Sequence, residues 1–160
     1  MIDEINKIIF DDVISTLKEH FGSKNDAWWM IGVPKSVRNS CDQMFNESDG
    51  QRERWRYLFL SNYPEIILHA DNWDLFKNYY SFYGKGKKAD LIRWIGRINK
   101  ARTVTHHAEK GPLSREDVDY VRLVHQLVKE HVEQRTAVAP NTRYIHEGSD
   151  VTPTVGVVAA

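Results

Sequence analysis

The chain has 160 residues, of which 41% are apolar and 28% are charged. This length and composition are typical of one globular domain and exclude a disordered chain. The net charge is zero, with 22 basic and 22 acidic residues, so any attraction to nucleic acid must come from a local cluster. No apolar run approaches the roughly 18 residues of a membrane span, and the acidic, amphipathic N-terminus is unlike a signal peptide. We therefore expect a soluble, cytoplasmic protein that does not contact a membrane.

Cysteine and metal chemistry are poorly supported. The single cysteine, Cys41, excludes an intramolecular disulfide, and beside Asp42 we expect an inert thiol. The side chains of His106, His107 and Glu109 are too close in sequence for a usual zinc site, and no second cluster complements them. No nucleophile elbow is present. We expect neither a metal nor another cofactor.

The first half of the chain predicts two helices. From Asp3 to Phe21, apolar residues recur at helical spacing, acidic residues crowd the start, and Gly22 follows the end. A turn-rich connection then carries Trp28 and Trp29, which we expect to anchor it on the core, with ligand stacking as the alternative. Pro34 suits the first position of a shorter helix over PKSVRNSCDQMFNE.

The middle of the chain is dense in aromatic residues. Residues 55–59 suit either a short strand or a helix start, because periodicity cannot decide so short a run. Pro64 begins a predicted helix through His69, and Asp71 or Asn72 caps another helix with an aromatic stripe. We expect this stripe to be core rather than a base-stacking platform. The following GKGKK, residues 84–88, lacks the P-loop spacing, and it suits either a solvated turn or a phosphate-contacting loop.

The second half predicts two longer helices. Apolar residues at three- and four-residue steps predict a helix from Lys88 to His106, the one local concentration of basic residues. After the break at EKGP, Ser114 and Asp117 suit an N-cap pair for a last helix to about Arg135. Residues 136–160 show no helical period, and we expect a flexible tail or a short docking segment. The predicted fold is thus an all-α bundle of about five or six helices over residues 1–135, with a C-terminal tail.

A possible chemical site lies at the end of the predicted basic helix, where Arg102 precedes His106 and His107. An arginine and a histidine without a metal suit cleavage of RNA by its own 2′-hydroxyl. The imidazole can move a proton near neutral pH, and the guanidinium can stabilise the phosphorane. The residues alone favour a structural role instead, since cations near a helix C-terminus interact favourably with its dipole.

The stretch INKARTVTHH, residues 98–107, resembles the signature of the HEPN superfamily, an arginine followed by a histidine after roughly four to six intervening residues. Here four residues separate Arg102 from His107. The context is similar too, because DNWDLFKNYY precedes the motif helix and HHAEKGPLSREDVDYV leads into the last helix. The resemblance covers roughly residues 3–134 and is to the branch appended to bacterial defence ATPases and RNA-surveillance endoribonucleases.

The resemblance implies an all-α bundle that forms a homodimer through the motif helix, with two Arg–His sets in one cleft. It implies a metal-independent endoribonuclease, acting as a toxin or anti-phage effector, whose further partner is an antitoxin or a larger defence system. The alternative is a non-catalytic RNA-binding or assembly module. The implied site has Arg102 as the phosphorane stabiliser and His107 as acid or base, supported by His106. The expected substrate contacts are Asn99, Thr103, Arg97 and Lys100.

Two features depart from the family pattern. Thr103 replaces the usual Asn, Asp or His after the arginine, which keeps a hydroxyl but loses an amide or acid. There are also two candidate histidines. On a straight helix, His106 lies about 40° round from Arg102 and His107 about 140° round. Helix geometry therefore favours His106, whereas the family spacing selects His107, which we take as the working histidine.

Overall fold

The computed structural model describes residues 1–135, apart from the side chain of residue 108. This part of the chain consists of helices, turns and loops without a strand, which confirms the predicted all-α class. None of its helices is long and apolar enough to cross a membrane. The predicted tail, residues 136–160, lies outside the described residues.

Residues 1–135 contain eight α-helices, two of which are short additions to the predicted set. Helix α2 forms where a connection was expected, and the helix predicted over residues 88–106 is divided at Ile92, where φ is −112° and ψ is 9°. The last helix continues into a π-helical segment at Lys129–Glu133. The helices are α1 (Ile2–Phe21), α2 (Ala27–Gly32), α3 (Lys35–Glu47), α4 (Tyr63–Leu68), α5 (Trp73–Tyr80), α6 (Lys88–Leu91), α7 (Arg93–His106) and α8 (Arg115–Val128).

Helix α1 lies at the centre of the packing, in contact with α2, α8 and the π-helical segment. Its apolar positions are buried as the spacing predicted, and the core continues through α7, which contacts both α4 and α8. The rings of Trp28 and Trp29 are also buried and contact Trp55. The prediction that these two tryptophans anchor the core is therefore confirmed.

The aromatic middle of the chain is mainly core. Trp73, Phe76 and Tyr80 of α5 are buried, which confirms these members of the predicted stripe, whereas Leu75 is partly buried and Tyr79 is exposed. The undecided stretch at 55–59 is not a strand, because a 3₁₀ turn covers Arg54–Tyr57 and extended backbone follows it. These residues contribute packing surface to α3 rather than an edge for pairing.

Of the two predicted helix caps, the one at α8 is confirmed and the one at α5 is not. At α8 the Ser114 hydroxyl accepts the Asp117 N–H at 3.1 Å, so this N-cap is confirmed. Asn72 occupies the N-cap position of α5, but its side chain does not cap the helix. It is buried, and its amide donates to the carbonyls of Gly32 at 2.7 Å and Ile66 at 2.8 Å. Asn72 thereby ties α2 and α4 to the start of α5.

A charged network lies inside the bundle. The Asp12 carboxylate of α1, 1% exposed, accepts the Tyr80 hydroxyl at 2.8 Å and lies 3.1 Å from Arg135 Nε. The Arg135 guanidinium also donates to the Leu75 carbonyl at 2.9 Å and to the Thr16 hydroxyl. Burial, reinforced by Asp12, raises the pKa of Tyr80 well above its usual value, so this phenol stays protonated. The network joins α1, α5 and the end of the last helix.

Candidate functional site

Arg102 occupies the last turn and a half of α7 and faces α1. Its side chain is 29% exposed, and its Nε atom lies 4.0 Å from Asp3 Oδ1. That separation is too long for a hydrogen bond, and the buried Nε has no hydrogen-bond partner among the described residues. The guanidinium therefore sits near one carboxylate without forming a closed, bidentate pair.

Two further buried polar atoms, one on α4 and one on α1, also lack a hydrogen-bond partner among the described residues. The Tyr63 hydroxyl of α4 is buried, and burial raises the pKa of this phenol while the nearby Arg102 charge opposes the rise. Neither this hydroxyl nor Asn6 Oδ1, one turn along α1 from Asp3, has a hydrogen-bond partner within residues 1–135. Buried polar atoms in this state are uncommon in folded proteins, and Arg102 Nε and the Tyr63 hydroxyl place two of them where α7 meets α4.

His106 lies beside Arg102 at the end of α7. Its Nδ1 atom is 2.9 Å from the Arg102 carbonyl oxygen, and the Thr105 hydroxyl donates to the same oxygen at 2.8 Å. A carbonyl only accepts, so Nδ1 carries the proton and Nε2 of the neutral ring is left as the acceptor. The ring is exposed. His106 is therefore oriented by the backbone of Arg102 with its basic nitrogen available.

His107 is the first residue beyond α7. Its backbone leaves the helix, with φ −120° and ψ 92°, so the straight-helix angle expected from Arg102 does not apply to it. Its Nδ1 atom lies 3.0 Å from Glu109 Oε1 in an exposed pair. A carboxylate on Nδ1 fixes the tautomer that presents Nε2 as an acceptor, an arrangement common to general bases.

Thr103 and Asn99, the other two predicted substrate contacts near Arg102 on α7, are less accessible to a substrate than the histidines. The Thr103 hydroxyl donates to the Asn99 carbonyl at 3.0 Å within the helix, so its proton is already used by the backbone. The Asn99 side chain is half-buried and lies roughly 60° round from Arg102. Both side chains lie near Arg102 on the helix, and their expected contact with substrate stays a prediction.

Arg97 and Lys100 lie on a different side of α7, roughly 140° and 160° round from Arg102. The Arg97 guanidinium stacks on the Tyr120 ring at 3.8 Å and contacts the carboxylates of Glu116 at 3.0 Å and Asp117 at 3.2 Å. Arg97 thus fastens α7 to α8. The structure therefore divides the predicted residues into a group around Arg102 and a separate pair facing α8.

Two acidic residues near the site were not predicted as part of it. Asp3 is far from Arg102 in the sequence, so only the folded structure shows that the two side chains lie near each other. Glu109 carries a weak sequence signal, because a carboxylate two residues after a histidine can reach its ring. Both place a negative charge beside a proposed catalytic group.

Other chemistry finds less support in the described part of the chain. Within residues 1–135 no three His, Cys, Asp or Glu side chains are placed to hold a metal ion together. Burial, with help from Asp42, raises the pKa of the Cys41 thiol to about 11. Cys41 therefore remains a protonated thiol at neutral pH, in agreement with the inert role expected for it.

Comparisons of the chain with family models, with curated proteins and with solved structures gave no match. The case for a function therefore depends on the residues and their geometry.

Proposed function

We propose that the protein is a metal-independent endoribonuclease of the HEPN type, centred on Arg102 and the two histidines that follow it. The observation that supports this most is the arrangement of Arg102 and His106. The imidazole Nδ1 is held on the Arg102 carbonyl at 2.9 Å, and the guanidinium Nε forms no hydrogen bond within residues 1–135. The end of α7 thus carries an acceptor nitrogen on His106 and a cation on Arg102, four residues apart on the helix.

The proposed reaction is internal transfer within the RNA chain. A histidine Nε2 accepts the 2′-hydroxyl proton while the 2′-oxygen attacks phosphorus, and Arg102 stabilises the charge that grows on the phosphorane oxygens. The bond from phosphorus to the 5′-oxygen breaks, and a protonated histidine supplies the proton to that oxygen. The products are a 2′,3′-cyclic phosphate and a 5′-hydroxyl, and no metal is required.

The two histidines are proposed to share the proton transfers. Geometry within one chain favours His106 as the partner of Arg102, and the family spacing favours His107, whose ring is oriented by Glu109. A homodimer through α7 would bring two Arg–His sets to one cleft and provide an acid and a base at once. We propose that the active form is this dimer and that it acts in the cytoplasm as a toxin or anti-phage effector.

The dimer is supported by the exposed side of α7. Gly96 is the fourth residue of this helix, and a Cβ atom added there would meet nothing within 4 Å. Glycine in a helix interior costs roughly 0.5–1 kcal/mol relative to alanine, so its presence at an open position suits close approach by another surface. A second α7 related by a two-fold axis would satisfy this requirement.

A non-catalytic RNA-binding or assembly module of a defence system is the second candidate. It is supported by the bonds at the end of α7, where His106 and Thr105 both donate to the Arg102 carbonyl. Side chains that satisfy terminal carbonyls are an ordinary way to finish a helix. On this account His106 is a structural cap, and the protein binds its partners without cleaving RNA.

The test is incubation of the purified protein with a structured RNA in EDTA, followed by analysis of the new ends. We expect cleavage with cyclic phosphate ends, a loss of at least roughly 100-fold in Arg102→Ala, and losses of about 100-fold or more in one of His106→Ala and His107→Ala. Whichever histidine matters more is the working one. Cleavage that needs a divalent metal, or that survives both histidine changes together, contradicts the mechanism, and no cleavage at all favours the second candidate.

A further inference from the structure

The loop before α6 and the adjoining end of α7 carry a local excess of positive charge. Residues 83–97 contain five basic residues and one acidic residue, although the whole chain is neutral. The side chains of Lys85, Lys87 and Lys88 are exposed, and none of them forms an ion pair within residues 1–135. Arg93, at the start of α7, is 78% exposed. Arg93 pairs with Asp90 and the Lys88 ammonium lies 5.5 Å from the centroid of the Trp73 ring, yet all four side chains keep much of their surface open to solvent.

The one acidic residue of this stretch holds the loop in shape. Asp90 Oδ2 accepts the Lys87 N–H at 3.1 Å, and Oδ1 pairs with Arg93. Gly84 and Gly86 have φ values of 134° and 115°, and a Cβ atom on either would lie 3.0 Å from an oxygen of Asp90. Glycine at both positions lets the loop close tightly over Asp90. One carboxylate oxygen is thereby held by the loop backbone and the other by Arg93, while Lys85 and Lys87 are exposed to solvent.

An exposed aromatic ring lies beside these cations. Tyr83 is 37% exposed and meets the Tyr120 ring edge-to-face, with centroids 5.4 Å apart. Arg97 covers the face of Tyr120 and is fully engaged by carboxylates of α8, so it stabilises the ring pair without adding free charge. Tyr83, Arg93 and Tyr120 contribute to the lining of an open depression of about 230 Å³. That volume lies below the roughly 300–1,000 Å³ of small-molecule pockets, which favours contact with an extended polymer.

We propose that Tyr83, the three loop lysines and Arg93 form a contact surface for single-stranded RNA, in which Tyr83 stacks on a base and the lysines contact the flanking phosphates. An exposed ring next to exposed cations is the combination that single-stranded nucleic acids use, since every base offers a face and every nucleotide a charge. The choice of RNA as the polymer rests on the proposed function. The surface is distinct from the Arg102 site, because Arg93 lies about 14 Å along α7 from Arg102 and roughly 180° round it.

The test measures binding separately from cleavage. A fluorescent 2′-O-methyl RNA of about 12 nucleotides cannot be cut by 2′-hydroxyl attack, so its anisotropy reports affinity alone. We expect Tyr83→Ala to weaken binding by roughly 5- to 150-fold and Tyr83→Phe to bind like the parent, because base–aromatic stacking contributes about that much. Equal affinity of the Ala and Phe variants would overturn the stacking role.

The lysines are tested through the salt dependence. Changing Lys85, Lys87 and Lys88 together to Gln removes three phosphate contacts, so the slope of log affinity against log salt is expected to fall in magnitude by about 2. The matched control changes three exposed cations outside this surface, and we expect no change in its slope. A loss of slope in both triple variants, or in neither, would overturn the assignment. The control positions are Lys24, Lys35 and Arg52.

The outcomes separate this proposal from the previous one. RNA that binds through Tyr83 and the lysines but is never cleaved would remove the nuclease and keep the surface. Cleavage that depends on Arg102, with binding indifferent to the Tyr83 and lysine changes, would keep the nuclease and remove the surface.

Discussion

Removing the buried carboxylate of Asp12 is expected to destabilise the helical bundle more than any exposed charge change. In Asp12→Ala the Arg135 guanidinium, whose side chain is 14% exposed, loses its carboxylate partner, and the Tyr80 hydroxyl loses its acceptor. Leaving one partner of a buried pair alone costs about 3–5 kcal/mol. Arg135 keeps its bonds to the Leu75 carbonyl and to Thr16, so we expect a value at the lower end, about 3 kcal/mol.

The measurement is urea unfolding followed by far-ultraviolet circular dichroism. A small domain has about 5–15 kcal/mol of stability, so the midpoint should move to clearly lower urea while the slope stays unchanged. Asp11→Ala is a matched control, because Asp11 is the adjacent residue and its bond to Lys7 is an exposed i,i+4 pair. Such pairs contribute about 0.3–0.5 kcal/mol.

The double variant Asp12→Ala with Arg135→Ala should cost less than the two single changes added together, because the second change removes the unpaired cation. If Asp12→Ala loses no more stability than Asp11→Ala, the network does not hold α1, α5 and the last helix together. The reasoning from burial would then be refuted.

Three further predictions concern single positions. Gly96→Ala should stabilise the monomeric unit by up to about 1 kcal/mol in urea unfolding, because there is open space around this position. Gly96→Trp should instead shift the molecular mass, measured by size-exclusion chromatography with light scattering, from dimer toward monomer. A Trp variant that stays dimeric would show that α7 is not in the interface. Asn72→Asp should cost about 1–3 kcal/mol, since a carboxylate cannot donate to the two carbonyls that the amide reaches, and a neutral result in thermal melting contradicts that role. The hydrogen bond from His125 lowers the pKa of the Glu4 carboxyl from 4.5. The stabilisation that the ionised Glu4 gives the fold is therefore present above about pH 4.5 and is lost as the pH falls through the pKa of Glu4 in the folded protein. The difference in unfolding free energy between the parent and Glu4→Gln should shrink between pH 6 and pH 3, and a constant difference argues against the pair.

The sequence predicted those features of the fold that depend on residues close together on one helix. The apolar spacing of α1 and the Ser114–Asp117 cap of α8 were predicted because each depends on residues three or four apart. The division of the predicted 88–106 helix at Ile92 was not predicted, since the apolar spacing continues through this residue. The side chain of Asn72 was also misassigned, because its carbonyl partners lie on α2 and α4.

The candidate site was predictable only in part for the same reason. The placement of His106 beside Arg102 follows from helix geometry, and the structure adds the bond from Nδ1 to the Arg102 carbonyl. The turn of His107 toward Glu109 depends on where α7 ends, which the sequence indicated only as a break at EKGP. The approach of Asp3 to Arg102 joins two ends of the domain, and no local pattern encodes such a contact.

The most direct test of the central proposal is cleavage of one end-labelled RNA in EDTA by the parent protein, Arg102→Ala and Arg122→Ala, side by side. Arg122 is an exposed arginine of α8 that pairs only with Asp119 among the described residues, so its variant controls for loss of one positive charge. We predict that the parent and Arg122→Ala release fragments with 2′,3′-cyclic phosphate ends, while Arg102→Ala, folded by circular dichroism, releases at least roughly 100-fold less. Equal cleavage by all three proteins, or no cleavage by the parent, would contradict a ribonuclease centred on Arg102.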